Sequence, residues 1–593
     1  MVLAEKKEKQ LKHLHNVITD SCYWYSCGFK VMNNEAGSGK SVQTFKSIAE
    51  LATTTDHKII YVQMFANKDS EKQDALELKN TVLRINNYAN GNRVANYICA
   101  ENRKEHKKIL KESQVICITH KKYLELAKKG GSNFITNSDI LIIDEFPNLF
   151  ESFYISELEL TKLQGFTLLS EKDKEDIENL NNFMLNKLNE LKDRFGKEMR
   201  IVNLHKLDVK KYIKVLNTII KNAKKDNKVA HKKTIEIAEK VLEILNHSSV
   251  YTSIKIGRKN YPVIYSFYNT DYILAQKGNI ILDANGGFDM RYRLRSDIVE
   301  IDKQSKVFNY TDSTINIYPI STTKTALAST QNIIKDVTEY IKEGKYNKKG
   351  LLLKKDKHLI VTDIERENLI GNNVKTVLEL FSDIYLAHFG ALIGKNDWKD
   401  YNNIWIVKTP FYSWIEYILQ YLFYSKEDLN GNTNCEIKVK KGQYNNYTIF
   451  RNKDFNKFKN CIVLGEYYQA CKRIARDGRQ CNFNILTTEE DIFNLLKQQF
   501  KNINEEVKED LEIKLIEKKE NKKTGKEPTK TNTRIKMINN YIQEIKLKGK
   551  TKIEKSELVD LLGIKKTKLS PLLKKINNIE IGKGREQEYI RLL

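Results

Sequence analysis

Short apolar runs alternate with helix-period stretches from Gly28 to Phe150. "KIIYVQMF" (58–65), "QVICITH" (114–120) and "DILIIDEF" (139–146) are rich in Ile, Val and aromatic residues and almost free of polar breaks. Strands covered on both faces of a parallel sheet read this way. Between them lie amphipathic patterns such as "KSVQTFKSIAEL" (40–51). Strands that alternate with helices predict a doubly wound α/β domain over residues 1–154.

The period then changes. "EDIENLNNFMLNKLNELKDRF" and "HKKTIEIAEKVLEIL" space their apolar residues by three and four, which predicts a helical insertion over 155–248. "SVYTSIKIGRKNYPVIYSFYN" (249–269) reads as a hairpin and "GNIILDANGG" (278–287) as one more buried strand. Both are expected to complete the first α/β domain over 249–304. A second α/β block follows over 305–500. Its expected strands are "INIYPI", "HLIVTD", "NIWIVKTP", "NCIVLG" and "FNILTT". Residues 501–533 are charged and read as a helix running into a linker, and 534–593 as a small separate domain.

Composition narrows the setting. A chain of 593 residues is too long for one core. No run of about 18 apolar residues is present, so a membrane span is not expected. The charged start "MVLAEKKEKQLKHLHN" lacks the apolar stretch of a secretory signal. The eight cysteines form no C-x-x-C pair, and a reducing cytoplasmic setting is expected. The net charge of +25 points to a polyanion such as nucleic acid. A Lys-, Asn- and Ile-rich chain with only six prolines is also what AT-rich coding sequence gives, so charge alone does not decide.

Candidate chemistry lies in three places. "NNEAGSGKS" follows the strand-like "FKVM" and opens a helix. Gly37, Ser38, Gly39, Lys40 and Ser41 fit a phosphate-binding loop, whose backbone N–H groups and helix N-terminus cradle phosphate oxygens. Lys40 would reach the β- and γ-phosphates of ATP, and Ser41 would ligate Mg²⁺. Asn34 stands where the usual first glycine is found, and a helix cap in a Gly/Ser turn would use the same residue types. "ILIIDEFPN" ends a fully apolar strand in two carboxylates, which is costly unless they are used. Asp144 would hold Mg²⁺ and Glu145 would orient or deprotonate the attacking water; the alternative is a strand end that meets solvent. In "YYQACKRIARDGRQ", Gln469, Arg473 and Arg476 fall at relative positions 0, +4 and +7, on one face of an expected helix. Two arginines there suit an arginine finger, or else a solvated basic face.

Taken in order, "AGSGKS", "DEFP" and "QACKRIAR" resemble the phosphate loop, the acidic box and the final Q-x-x-G-R-x-x-R motif of superfamily 2 helicases and translocases. That family's loop does not always keep the first glycine. "YVQMFANK", "CITHKKYLEL" and "IILDANGG" sit where its motifs Ia, Ib and III fall. "AHFGALIGKNDWKDYN" resembles the motif V region of phage- and plasmid-type helicases, with Gly394 and Asn396 in the turn. The resemblance implies two tandem RecA-like parallel-sheet domains with ATP and Mg²⁺ between them. It also implies single-stranded DNA across both domains, with Thr119 and His120 among its contacts. Departures are visible: Phe146 and Pro147 in the acidic box, no Ser/Thr-Ala-Thr in "LDANGG", and Lys472 in place of the glycine of the final motif. Lys472 is expected to point away from the cleft. The helical insertion is similar to that of the iron–sulphur helicases. The four-cysteine cluster is missing, since only Cys99 and Cys117 lie between Lys40 and Asp144.

The tail reads as helix, turn at Gly563, second helix and a hairpin, a winged-helix pattern. From Lys536 onward it holds 14 Lys/Arg against 7 Asp/Glu, which favours a duplex DNA partner over a protein one. Lys565, Lys566, Lys568, Lys574 and Lys575 would charge the second helix, and Lys583 and Arg585 the wing. The sequence thus supports an ATP-dependent DNA helicase in phage or plasmid replication, with replication proteins as possible partners. An RNA helicase and an ATP-switched origin-binding or nucleoprotein scaffold are the rivals.

Overall fold

In a computed structural model of the chain, the phosphate loop, the acidic turn and "LDANGG" leave three neighbouring strands of one sheet. The structure describes residues 3–67, 75–128, 133–165, 171–226, 232–345, 356–363, 383–392, 397–431 and 433–516. It also describes parts of 538–592. Two compact units are present, Met1–Lys514 and Leu515–Leu593.

The first lobe of the larger unit is a parallel sheet, seven-stranded among the described residues. It comprises β1 (Phe29–Met32), β2 (Ile59–Gln63), β3 (Ala95–Tyr97), β4 (Val115–Thr119), β5 (Ile140–Asp144), β10 (Gly278–Leu282) and β11 (Val299–Asp302). The order is β11-β1-β10-β5-β2-β4-β3. The central strands are buried along nearly their whole length, as their unbroken apolar runs require. Met32 pairs with Leu282, and Leu282 with Asp144. The register therefore sets the carboxyl ends of β1, β10 and β5 side by side, where parallel α/β sheets bind ligands.

The second lobe holds a parallel sheet of β12 (Thr314–Tyr318), β13 (His358–Thr362), β14 (Ile384–His388), β15 (Asn403–Ile406), β18 (Asn482–Leu486) and β19 (Asn504–Val507). Its order is β14-β13-β15-β18-β12-β19. Both lobes are RecA-like. One expected strand is absent: "NCIVLG" (460–465) lies inside the helix Lys453–Cys471. That helix is buried on several sides, so its apolar run carries no strand-like alternation. An antiparallel hairpin of β16 (Ile437–Lys441) and β17 (Asn446–Phe450) precedes it.

The insertion is not purely helical. Helices Glu171–Phe195, Lys210–Asp226 and Lys232–Ile244 cover an antiparallel sheet. Its strands are β6 (Ser152–Ser156), β7 (Arg200–Val202), β8 (Ser249–Ile256) and β9 (Lys259–Phe267), in the order β6-β9-β8-β7. The 249–269 hairpin thus forms, but it joins the insertion's own sheet rather than the parallel one. A separate core of Leu180, Met184, Leu188, Leu216 and Val241 fills this part.

The helix Trp414–Ser425 ties the pieces together. Tyr417 to Tyr424 are all buried, and a helix apolar all round belongs in an interior. Phe423 packs edge-on against Phe150 and Phe267. The Tyr424 hydroxyl donates to Asn148 Oδ1 at 3.0 Å, and Glu416 Oε2 accepts from the Ser152 hydroxyl at 3.0 Å.

In the smaller unit, β20 (Lys552–Glu554), β21 (Ile579–Ile581) and β22 (Tyr589–Leu592) form an antiparallel sheet in the order β20-β22-β21. Ile553, Leu558, Leu572 and Ile590 are part of its core. Among the described residues no helix is long and apolar enough to cross a membrane.

Candidate active site

Three backbone facts fix the phosphate loop. Gly37 and Gly39 have φ of +89° and +98°, a region that side-chain-bearing residues rarely adopt. Gly39 caps the helix Lys40–Thr54 and starts it at Lys40. A Cβ on Gly37 would lie 2.0 Å from the carbonyl oxygen of Arg476, so the second lobe rests directly on the loop. Asn34, in the place of the missing glycine, is fully buried and leaves the turn to the two glycines.

Lys40 donates to the Leu282 carbonyl at 3.0 Å, at the end of β10. Two carboxylates face it. Asp144 accepts from the Tyr61 hydroxyl at 3.1 Å. Burial, with Glu145 and Asp283 nearby, pushes Asp144 up to about 6 against the pull of Lys40. Asp283 accepts from the Tyr292 hydroxyl at 2.9 Å and from the Asn285 N–H at 2.8 Å, and burial raises it too. Sequence reasoning missed Asp283, although "NIILD" has the same form as "ILIID": an apolar strand that ends in a carboxylate.

Glu145 follows with φ of +69°, strained for a residue with a side chain. Its N–H donates to the Leu282 carbonyl at 3.1 Å, which holds the turn in place.

From the second lobe come Gln469, Arg473 and Arg476, all lining the same cleft of about 490 Å³ as Gly37, Lys40, Ser41, Asp144 and Glu145. The expectation of one helical face fails. The helix ends at Cys471, and both arginines lie in the turn beyond it. Lys472 N–H caps the helix by donating to the Tyr468 carbonyl at 2.9 Å. Burial lowers both arginines, Arg476 to about 10, while the charge of Glu145 opposes the shift in each.

Lys472 also departs from expectation. It points inward, only 2% exposed, and meets Glu35 of the phosphate loop, 1% exposed, at 3.2 Å. A buried lysine needs such a partner.

His120 is buried, with Nε2 2.8 Å from the Asp144 carbonyl. It braces the acidic turn through that carbonyl. Thr119 ends β4, and its hydroxyl accepts from the Lys122 N–H at 3.2 Å. Neither lines the cleft. Gly394, Asn396, Lys565, Lys566, Lys568, Lys574, Lys575, Lys583 and Arg585 lie outside the described residues.

The residues lining the cleft could hold a nucleotide phosphate and, through Ser41 and Asp144, a divalent ion. Ser38 Oγ, Glu145 Oε2 and Asn285 Oδ1 are buried without hydrogen-bond partners among the described residues. Polar atoms in that condition call for a ligand or water. Among the described residues no group of three His, Cys, Asp or Glu side chains gathers to hold a metal.

No protein-family model and no curated protein matches this chain. Solved structures similar to it include an apo XPD, at 14% identity and a TM-score of 0.45, covering 85% of this chain and 100% of that one. Xpd4 of S. tokodaii is similar at 13% identity and 0.46, with coverages of 85% and 100%. Dbp5 of S. cerevisiae bound to RNA and ADP BeF3 is similar at 10% identity and 0.36, with coverages of 81% and 85%.

Proposed function

We propose that the protein is an ATP-driven nucleic-acid translocase, and more narrowly a DNA helicase that acts in replication of a phage- or plasmid-type genome. One observation carries the reading. A phosphate loop, two acidic strand ends and two second-lobe arginines converge on one inter-lobe cleft. The loop N–H groups and Lys40 would bind the β- and γ-phosphates, and the two arginines would meet charge that develops on the γ-phosphoryl group. Glu145 would orient the attacking water and accept its proton. Ser41 and Asp144 would hold Mg²⁺, which supplies charge neutralisation on the phosphates.

A cleft shared between lobes makes hydrolysis depend on their relative position, which is how it can drive movement along a strand. The deciding experiment is ATP hydrolysis with and without single-stranded DNA or RNA. Stimulation by DNA supports the narrow reading. Stimulation by RNA alone would replace it with an RNA helicase. Binding of ATP and origin DNA without hydrolysis would replace it with the scaffold.

Asp144 gives a pH-linked prediction. Its folded value of about 6 lies above the ordinary 3.8, so the fold prefers the proton. The charged form therefore costs the fold stability at neutral pH, and the cost fades as pH falls through about 6. Asp144→Asn should stabilise the fold at neutral pH by up to roughly 3 kcal/mol, and so raise the melting temperature, while hydrolysis is lost. Calorimetry and an ATPase assay check both signs.

The basic tail is read as a winged helix that docks on duplex DNA. Deleting Arg534 to Leu593 should leave DNA-stimulated hydrolysis largely intact. Duplex affinity should weaken, with a shallower salt dependence. A salt titration of duplex binding checks this.

A further inference from the structure

We propose that Lys472 is a positioning residue: through Glu35 it sets the Arg473–Arg476 turn against the phosphate loop for hydrolysis. The proposal rests on the ATPase reading above. Lys472 is the residue just before Arg473, and Glu35 lies two residues before Gly37. The pair therefore joins the two segments whose approach assembles the cleft.

Its surroundings extend to the connection between the lobes. Glu35 Oε2 accepts from the N–H groups of Val307 and Phe308, at 2.9 and 3.2 Å. Lys472 Nζ donates to the Tyr310 hydroxyl at 2.5 Å and to the Ala475 carbonyl at 3.3 Å. The Tyr310 hydroxyl donates to the same Ala475 carbonyl at 3.2 Å. Lys472 also lies over the rings of Phe308 and Tyr310, 4.4 and 5.2 Å from their centroids. Loop, connector and arginine turn are thus held by one buried network. Glycine, the residue of the related motif, has no side chain and would provide no such tie.

Stability does not account for the pair. Burial lowers Lys472 to about 8, against the attraction of Glu35. A lysine lowered on folding carries its charge in the fold at a cost. The charge thus costs stability below about pH 8, and the cost is relieved as pH rises towards 10.5. What the charge supplies is a geometric constraint. The groups that face it are Glu35 from the loop, Lys306 and Tyr310 from the connector, and Cys481 just before β18. Burial lowers Lys306 as well and raises Cys481 to about 11, while the hydrogen bond to Glu35 Oε1 is made by Lys472.

The test uses the full chain as wild type, Lys472→Arg, Lys472→Met and the double variant Glu35→Gln/Lys472→Met. The single methionine variant strands the Glu35 charge and can fail to fold. The double variant removes both charges and should melt at or above the wild-type temperature. Its kcat is expected to fall at least about 10-fold, with KM for ATP changed less than about 3-fold. Wild-type kcat should fall as pH rises through about 8, and Lys472→Arg should not follow it, since arginine stays charged. A double variant with wild-type kcat, or an arginine variant that loses activity in parallel with wild type, overturns the proposal. If the wild type hydrolyses no ATP, the ATPase reading fails by itself. Hydrogen exchange over residues 33–41 and 472–478 then judges the tie: faster exchange in the double variant supports it, and unchanged exchange overturns it.

Discussion

Replacing Lys40 by alanine is expected to lower ATP hydrolysis by about 10³-fold or more while leaving the fold intact. The side chain lies between the end of β10 and two carboxylates, half-buried Asp144 and buried Asp283, and its charge opposes the upward shift of both. Alanine removes a clamp from the phosphoryl group. It also leaves the two carboxylates less compensated, so each holds its proton more firmly. Nucleotide affinity and turnover should therefore fall together. The structural loss is small, because Lys40 makes one hydrogen bond to a strand-end carbonyl and fills no core position. Thermal melting and steady-state hydrolysis measured side by side check the separation. Wild-type turnover in this variant would remove the phosphate-loop assignment.

Arginine-to-alanine changes at 473 and 476 should have a different signature. Each is expected to reduce kcat by at least about 10²-fold, with ATP affinity changed much less. Both side chains come from the second lobe and share the cleft with Glu145, so their charge acts where the reaction develops charge rather than where the nucleotide is first held. The contact that seats the second lobe on the loop uses the Arg476 backbone carbonyl against Gly37. Truncating the side chain leaves that contact in place. Near-normal turnover in both variants would reduce the segment to a structural turn and bring the scaffold reading forward.

The sequence disclosed what local pattern can carry. "ILIID", "IIYVQ" and "VICIT" read as buried parallel strands because nothing polar interrupts them, and the structure places them next to one another. "NCIVLG" has the same look and is helical, since an element buried on several sides loses its period. Gln469, Arg473 and Arg476 read as one helical face, yet the helix stops at Cys471. The Lys472 side chain turns inward to a glutamate 437 residues away, and no local window contains that partner. Asp283 is the opposite case. Its signal was present, an apolar strand that closes on a carboxylate, but it became informative only once β10 was seen to lie between β1 and β5.

The Glu35–Lys472 pair also bears on how such a protein can change. Either charge alone in that interior is a liability, so neither position is free to drift while the other stands still. A lineage that placed glycine at 472 would need a neutral residue at 35 at nearly the same time. Among relatives of this chain the two positions should behave as one inherited character, present together or absent together.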